Sequence, residues 1–161
     1  MKRAGISLKS ILAPNDPWGV SKCSDAECFP CGTNDGPSKV GCRVPGVMYQ
    51  IICTLCESDG NRAIYIGETG KNAYSRGKKH VEDFLAGRSS HCMVIHHRVH
   101  HPDVPKSVDH YRMEPVKSFR TPLYRQVSEA LTINNSQVDV LLNSGSECRV
   151  GRLPRAAVSQ P

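Results

Sequence analysis

The distribution of hydrophobic and polar positions along the chain predicts three β-strands. Residues 47–53 (VMYQIIC) and 63–67 (AIYIG) are rich in β-branched and aromatic side chains, which is typical of strands. The connection between them is polar and contains Gly60, so the two strands are predicted to form an antiparallel hairpin. Residues 107–116 form the third predicted strand. Pro115 puts this strand at the sheet edge, because proline cannot donate to a β-ladder.

Three other segments have helical periodicity. The first follows residues 69–70 and ends near Gly87. Its predicted buried face consists of Ala73, Val81, Phe84 and Leu85. The side chains expected off that face are Arg76, Lys79 and His80. The second predicted helix is the histidine-rich segment 91–101, which stops at Pro102.

The third helix is predicted to start at Thr121 and Pro122, since threonine is a favoured N-cap and proline fits the first helical position. Its predicted buried face consists of Leu123, Val127, Ala130 and Leu131. The element order is then strand, strand, helix, helix, strand, helix. It predicts an α/β (α+β) fold in which helices flank a small three-stranded antiparallel sheet.

Composition narrows the class of protein. The chain has 161 residues, of which 39% are hydrophobic, and 21 Lys and Arg against 15 Asp and Glu give a net charge of +6. This length suits one domain with a modest core, and the positive charge suits binding to a phosphate backbone. No apolar run is long enough for a membrane span and the N-terminus lacks a secretory h-region, so an intracellular, reducing setting is expected.

Eight cysteines and seven histidines are the most unusual part of this composition. In a reducing compartment, cysteines at short spacing are more often metal ligands than disulfides. A C-x-x-C turn sets two thiolates on one side of a tight loop, as tetrahedral zinc requires. The clustered cysteines are Cys23, Cys28, Cys31 and Cys42, followed by Cys53 and Cys56. Cys92 and Cys148 stand alone and are predicted to have no role.

Two assignments of the zinc ligands are open. Cys53 and Cys56 join either Cys28 and Cys31 in an all-thiolate site or two histidines of the segment 91–101. Helical spacing allows His96 to act with His100 or His101. The two-Cys, two-His assignment is favoured because it leaves a second set of four thiols upstream, so that every clustered cysteine has partners. The simpler alternative is a histidine-rich, solvated helix that binds no metal.

The chain divides by composition into four segments. Residues 1–21 form a basic, turn-rich linker with at most a short helix at 5–12. Residues 22–45 form a zinc-knuckle-like, Cys-rich segment that needs a metal to hold a shape. Residues 46–150 form the main domain, and residues 151–161 a flexible tail.

Several groups in the main domain are those that phosphodiester hydrolysis uses. Tyr49 and Tyr65 lie on paired strands, Arg76 and His80 are one helical turn apart, and Glu129 lies on the last helix. A phenol or an imidazole can handle the proton of an attacking water, an arginine can stabilise charge on phosphate, and a carboxylate can hold a divalent metal. Taken one by one, these are more simply packed strand tyrosines, a solvated helix face and a helical ion pair with the residue one turn earlier.

The order of these residues resembles the GIY-YIG nuclease superfamily, and more narrowly the endonuclease domain of Penelope-like retroelements. The motifs that carry the resemblance are VMYQI at 47–51, YIGETG at 65–70, NAYSRG at 72–77 with His80, RQVSEA at 125–130 and LNSGSE at 142–147. Residues 15–19 (NDPWG) resemble the point where the reverse transcriptase of such an element would end. The first motif lacks its Gly and Ile, and Lys79 stands where the family often has an acidic residue.

This resemblance implies a role for each matching residue. Tyr49 and Tyr65 line the site and help to activate water, and Gly67 belongs to the second tyrosine motif. Arg76 stabilises the scissile phosphate and His80 assists proton transfer. Glu129 holds one catalytic ion, Mg²⁺, and Asn143 supports the site by hydrogen bonding. The family's zinc motif maps onto Cys53, Cys56, His96 and His101, with His97 and His100 as alternatives, and leaves Cys23, Cys28, Cys31 and Cys42 as a second possible zinc site.

The implied protein is a metal-dependent endonuclease that hydrolyses phosphodiester bonds in DNA, with one or two structural zinc ions and a GIY-YIG-like fold over 46–150. In a retrotransposon the cut would prime reverse transcription, so a reverse-transcriptase domain is an expected partner and the nucleus the expected location. One alternative is a catalytically inactive, zinc-stabilised nucleic-acid-binding module derived from the same domain. Another is a zinc-dependent protein-interaction domain.

Overall fold

The computed structural model describes residues 23–32 and 40–143, which form a mixed α+β fold. The predicted linker, tail and Cys148 lie outside the described residues. The elements, in chain order, are α1 Phe29–Gly32, β1 Pro45–Cys53, α2 Thr54–Ser58, β2 Ala63–Asn72, α3 Ala73–Leu85, α4 Cys92–His100, β3 Tyr111–Ser118, α5 Pro122–Asn134 and β4 Val140–Leu141. A short 3₁₀ turn, Val108–His110, precedes β3.

The sheet has four strands in the order β3-β1-β2-β4, and not the predicted three. The predicted antiparallel hairpin is present as β1 and β2, but β4 pairs with β2 in parallel. β4 is only two residues long, which is too short to give an alternation pattern in the sequence. The edge position predicted for β3 is confirmed, and the β1–β3 register shifts next to Pro115.

Two hydrophobic clusters lie on opposite faces of the sheet because side chains alternate along each strand. The larger contains Tyr49, Ile51 and Tyr65 from the sheet, together with Phe84 of α3 and Met93 of α4. The smaller contains Ile52, Ile64, Ile66 and Ile133, so α5 covers the second face. The hydroxyl of Tyr111 on β3 donates to the Met93 carbonyl at 3.0 Å and ties α4 to the sheet.

Helix α3 begins later than the pattern suggests, because β2 continues to Asn72. The Asn72 side chain then caps the helix by accepting from the Ser75 amide at 2.9 Å. Two predictions about its faces are wrong, since His80 is buried and Leu85 is 59% exposed. Gly77 has a packing role: a Cβ there would lie 3.0 Å from both Met113 Sδ and Pro30 Cδ, so glycine lets α1 approach α3 closely.

The predicted start of α5 is confirmed at Pro122, but its predicted buried face is wrong. Leu123, Val127 and Leu131 are exposed, while Arg125 and Ile133 are buried. The helix can turn Arg125 inward because its guanidinium forms an ion pair with Glu68 on β2. A buried charge with a close partner is tolerated, so here a polar face lies against the sheet.

The described Cys-rich residues pack against the sheet domain. Cys28, Phe29, Val40 and Cys42 are buried, and Phe29 and Val40 belong to the larger cluster. Helix α1 contacts both α3 and β3. Among residues 23–32 and 40–143, no helix is long and apolar enough to cross a membrane.

Candidate functional site

A hydrogen-bonded cluster at the hairpin joins the first predicted tyrosine to the arginine and histidine of α3. Tyr49 is fully buried, and its hydroxyl lies 2.8 Å from His80 Nε2. Arg76 Nε donates to the same hydroxyl oxygen at 3.0 Å. Because an arginine can only donate, the Tyr49 oxygen accepts from it and keeps its own proton available for His80. Arg76 and His80 are one helical turn apart, so both side chains reach the hydroxyl of Tyr49.

Tyr65 and Gly67 complete the wall of this cluster. The Tyr65 ring centroid lies 6.3 Å from that of Tyr49 and 5.8 Å from that of His80. Gly67 is the direct cross-strand partner of Tyr49. A Cβ at position 67 would stand 2.6 Å from Tyr49 Cζ and Oη and 2.7 Å from Tyr65 Cε1. Only glycine leaves room for both rings here.

Burial keeps the Tyr49 phenol and the His80 imidazole of this cluster neutral at pH 7. Burial raises the pKa of Tyr49 to about 12, while the Arg76 guanidinium opposes that rise. Burial and then the positive charge of Arg76 lower the pKa of His80 to about 3. The cluster therefore contains a phenol that can donate, an imidazole that can accept and a cation beside them.

Glu129 lies half-buried on α5, and its charge contributes to the raised pKa of Tyr49. Helix α5 covers the face of the sheet opposite to the one that carries Tyr49, so Glu129 and the Tyr49 cluster come from different faces of the sheet. Arg125, one turn earlier on the helix, forms an ion pair with Glu68 on β2.

Asn143 clamps the strand that carries the second tyrosine motif. Its Oδ1 accepts from the Ile66 amide at 2.9 Å, and its Nδ2 donates to the Ile66 carbonyl at 2.7 Å. This pair of bonds fixes β2 at the residue between Tyr65 and Gly67. Asn143 thus positions the strand through its backbone, which agrees with a supporting hydrogen-bond role.

An open cleft of about 530 Å³ lies beside this cluster, and Arg76 is one of its walls. It lies along the end of β2 and the outer side of α3. Its charged lining consists of Lys71, Arg76, Lys78, Lys79 and Glu82. Four cations against one carboxylate make it a positively charged groove, and Arg76 connects it to the Tyr49 hydroxyl.

A second group brings together the four residues of the favoured two-Cys, two-His assignment. One ligand atom from each of Cys53, Cys56, His96 and His101 lies within 4.8 Å of the others. His96 Nε2 is 3.3 Å from Cys56 Sγ, and His101 Nε2 is 3.4 Å from Cys53 Sγ and 3.2 Å from Cys56 Sγ. In tetrahedral zinc, sulfur and nitrogen ligands stand about 3.5 Å apart, so these distances fit one ion.

The other two histidines considered for this site are placed differently. His97 Nε2 donates to the Val104 carbonyl at 2.9 Å, and His100 is exposed. A short helix, α2, holds Cys56 one turn after Cys53, where the sequence predicts a loop. Cys53, Cys56, His96 and His101 could therefore hold zinc.

The four cysteines upstream of β1 form a second four-ligand group. Ligand atoms of Cys23, Cys28, Cys31 and Cys42 all lie within 4.8 Å of one another. Burial raises the pKa of Cys42 to about 12, and burial also raises the pKa of Cys56 to about 12. A bound cation reverses this effect, because it stabilises the thiolates that burial disfavours. Both four-ligand groups therefore have the donor chemistry and the closed geometry of structural zinc sites.

Sequence reasoning did not place His91 and Cys92 in any site. His91 Nε2 lies 2.9 Å from His80 Nδ1, on the side of the imidazole opposite Tyr49. Cys92 offers a third donor atom to the same pair. In the sequence, His91 and Cys92 are marked only by being adjacent in the histidine-rich segment. Their spacing from His80 does not show that α3 and α4 lie side by side.

Comparison of the chain with models of protein families, with curated proteins and with solved structures gives no match.

Proposed function

We propose that this chain is a metal-dependent DNA endonuclease of the GIY-YIG type, like the endonuclease domain of Penelope-like retroelements. The observation that carries the proposal is the shared hydroxyl of Tyr49, which contacts both Arg76 and His80 against the glycine of the second tyrosine motif. These side chains come from the segments that carry the resemblance to that family. Tyr49 and His80 are both buried, and Arg76 connects them to the cleft.

The geometry supports a proton path that begins at the attacking water. The water gives its proton to the Tyr49 oxygen as the Tyr49 proton passes to His80 Nε2, 2.8 Å away. Arg76 stays cationic and stabilises the negative charge that develops on the phenol oxygen and the scissile phosphate. His80 Nδ1 then faces His91 Nε2 at 2.9 Å, which lets the added positive charge be shared.

Glu129 is the residue that would hold the catalytic ion, Mg²⁺ in this proposal. Magnesium commonly uses one or two carboxylates, keeps several waters and takes its remaining ligands from substrate phosphate, so one half-buried carboxylate fits this requirement. When bound, the ion supplies Lewis-acid stabilisation of the phosphate and the leaving oxygen.

The positively charged cleft supports DNA as the substrate. Lys71, Lys78 and Lys79 line it together with Arg76, so a phosphate backbone in the cleft would pass beside Arg76, whose Nε donates to the buried Tyr49 hydroxyl. The overall charge of +6 acts in the same direction. A retroelement origin, and with it a nuclear location and a reverse-transcriptase partner, remains part of the proposal through the resemblance.

The test is cleavage of supercoiled plasmid in Mg²⁺ by the wild type and by Glu129→Gln and Arg76→Gln. We expect each substitution to lower the cleavage rate on the order of 10²-fold or more. The matched controls are Glu27→Gln and Arg98→Gln, which change an exposed carboxylate and an exposed guanidinium outside the cluster. Both controls should cleave like the wild type.

The outcomes separate the proposed function from its alternatives. Equal cleavage by all five proteins would overturn the assignment of the site. Salt-sensitive DNA binding without cleavage in any divalent metal would favour the inactive nucleic-acid-binding module. Absence of DNA binding would favour a zinc-dependent protein-interaction domain.

A further inference from the structure

The start of α4 and the middle of α3 bring together three donor atoms that neither four-ligand group uses. His80, His91 and Cys92 offer one ligand atom each, all within 4.8 Å of one another. His80 is buried, whereas His91 and Cys92 are half-buried, so solvent has access from one side.

The hydrogen bonding of His91 is incomplete. Its Nε2 contacts His80 Nδ1, but its Nδ1 is buried and has no hydrogen-bond partner within residues 23–32 and 40–143. If Nε2 accepts, the Nδ1 proton has no acceptor, and if Nε2 donates, the Nδ1 lone pair has no donor. The pair of imidazoles is therefore not a finished hydrogen-bond network; since a metal on Nε2 leaves the Nδ1 proton unpaired, the case for a metal rests on the three converging ligand atoms.

We propose that His80, His91 and Cys92 form a third metal site, which takes one zinc ion through three protein ligands and leaves a fourth position open. Two imidazoles and a thiolate select zinc and its late first-row neighbours, and they do not suit magnesium. Three protein ligands with an open position distinguish this site from the two closed four-ligand groups.

The ion fits after a small movement. Two nitrogen ligands of tetrahedral zinc stand about 3.3 Å apart, so His80 Nδ1 and His91 Nε2 must separate slightly from their 2.9 Å contact. His91 is the N-cap residue of α4, and its side chain makes no capping hydrogen bond that would hold it in place.

Binding changes the protonation of the group in a defined way. The Cys92 thiol loses its proton, and one proton is released per ion. Each imidazole keeps one proton, and that of His80 must be on Nε2 when Nδ1 binds the metal. His80 Nε2 then donates to the Tyr49 oxygen and can no longer accept its proton. This consequence rests on the proposed nuclease function, and it makes zinc at this site an inhibitor of cleavage.

The direct test is calorimetric titration of Zn²⁺ into protein that already carries two zinc ions. The wild type should bind one further equivalent and release one proton, measured in buffers of different ionisation enthalpy. Cys92→Ser and His91→Gln should lose that equivalent, while His100→Ala, an exposed histidine on the same helix, should keep it. Thermal unfolding checks that each variant is folded, and either of the first two suffices for the comparison.

Failure of the wild type to bind a further equivalent overturns the proposal, as does undiminished binding by a folded Cys92→Ser or His91→Gln.

A second readout uses plasmid cleavage in Mg²⁺. Zinc should inhibit the wild type at least tenfold and leave Cys92→Ser uninhibited, and equal inhibition of both overturns the regulatory consequence. If no protein cleaves DNA, the titration still decides whether the site exists, and only the proposed nuclease function fails.

Discussion

Two polar clusters lie close to the same hydrophobic cluster and satisfy their polar atoms in different ways. The Cys53, Cys56, His96 and His101 group consists of ligand atoms that face one another and could hold a zinc ion. The Tyr49, Arg76 and His80 cluster is satisfied by its own hydrogen bonds, at 2.8 and 3.0 Å. The first is therefore expected to support the fold, while the second is already arranged before any ligand arrives.

The largest expected effect comes from breaking the zinc group. Cys56→Ser removes a donor that contacts both histidines, so the free energy of unfolding should fall by at least about 3 kcal/mol and one zinc ion should be lost. Thermal unfolding and elemental analysis measure the two effects. The matched control is His100→Ala, which removes an exposed histidine from the same helix as His96; it should cost less than about 1 kcal/mol and keep all bound zinc. Similar stability of the two variants would mean that the group holds no structural ion.

An intermediate effect is expected from crowding the hydrogen-bonded cluster. Gly67→Ala puts a methyl group 2.6 Å from the ring of the fully buried Tyr49, so the ring must shift against its packed neighbours and we expect a loss of about 2 kcal/mol. Displacing the phenol by about 1 Å should also lower cleavage on the order of 10²-fold. Gly70→Ala, in the same strand, meets only the Arg125 side chain at 3.4 Å and serves as the control. Unfolding curves and cleavage rates that match between the two variants would contradict the close packing.

Of these three substitutions, Tyr49→Phe should have the smallest effect on the free energy of unfolding but a large effect on the cleavage rate. Tyr49→Phe keeps the ring but removes the hydroxyl that Arg76 and His80 share, at an expected cost of about 1–2 kcal/mol. Cleavage should fall by about 10²–10⁴-fold if the hydroxyl carries the proton. Tyr124→Phe, on an exposed tyrosine of α5, should change neither quantity. Wild-type cleavage by Tyr49→Phe would remove the phenol from the mechanism and leave it a packing role.

Local signals in the sequence were sufficient for the hairpin, the edge position of β3, the histidine-rich helix and the start of α5. The cysteine and histidine spacing predicted the clustered ligands but left His100 or His101 as the partner of His96 and an all-thiolate site as an alternative, and the family resemblance indicated His101.

The errors concern which face of a helix meets the sheet. On α5 the apolar stripe is exposed and Arg125 faces inward, since its partner Glu68 is 57 residues away and no local pattern reports that ion pair. His80 is buried for a similar reason: its partners Tyr49 and His91 come from a strand and from another helix. The parallel pairing of β4 with β2 is also a long-range contact, formed by a strand without periodicity.

Both edges of the sheet also limit how this protein meets other copies of itself. On one side, Pro115 removes an amide from β3 and the neighbouring register shift interrupts the ladder. On the other, β4 offers only two residues. Within residues 23–32 and 40–143, neither β3 nor β4 presents a long, regular row of donors and acceptors on which a strand from a second chain could extend the sheet. Strand β1, which carries Tyr49, has a partner on both sides and is therefore not itself an edge.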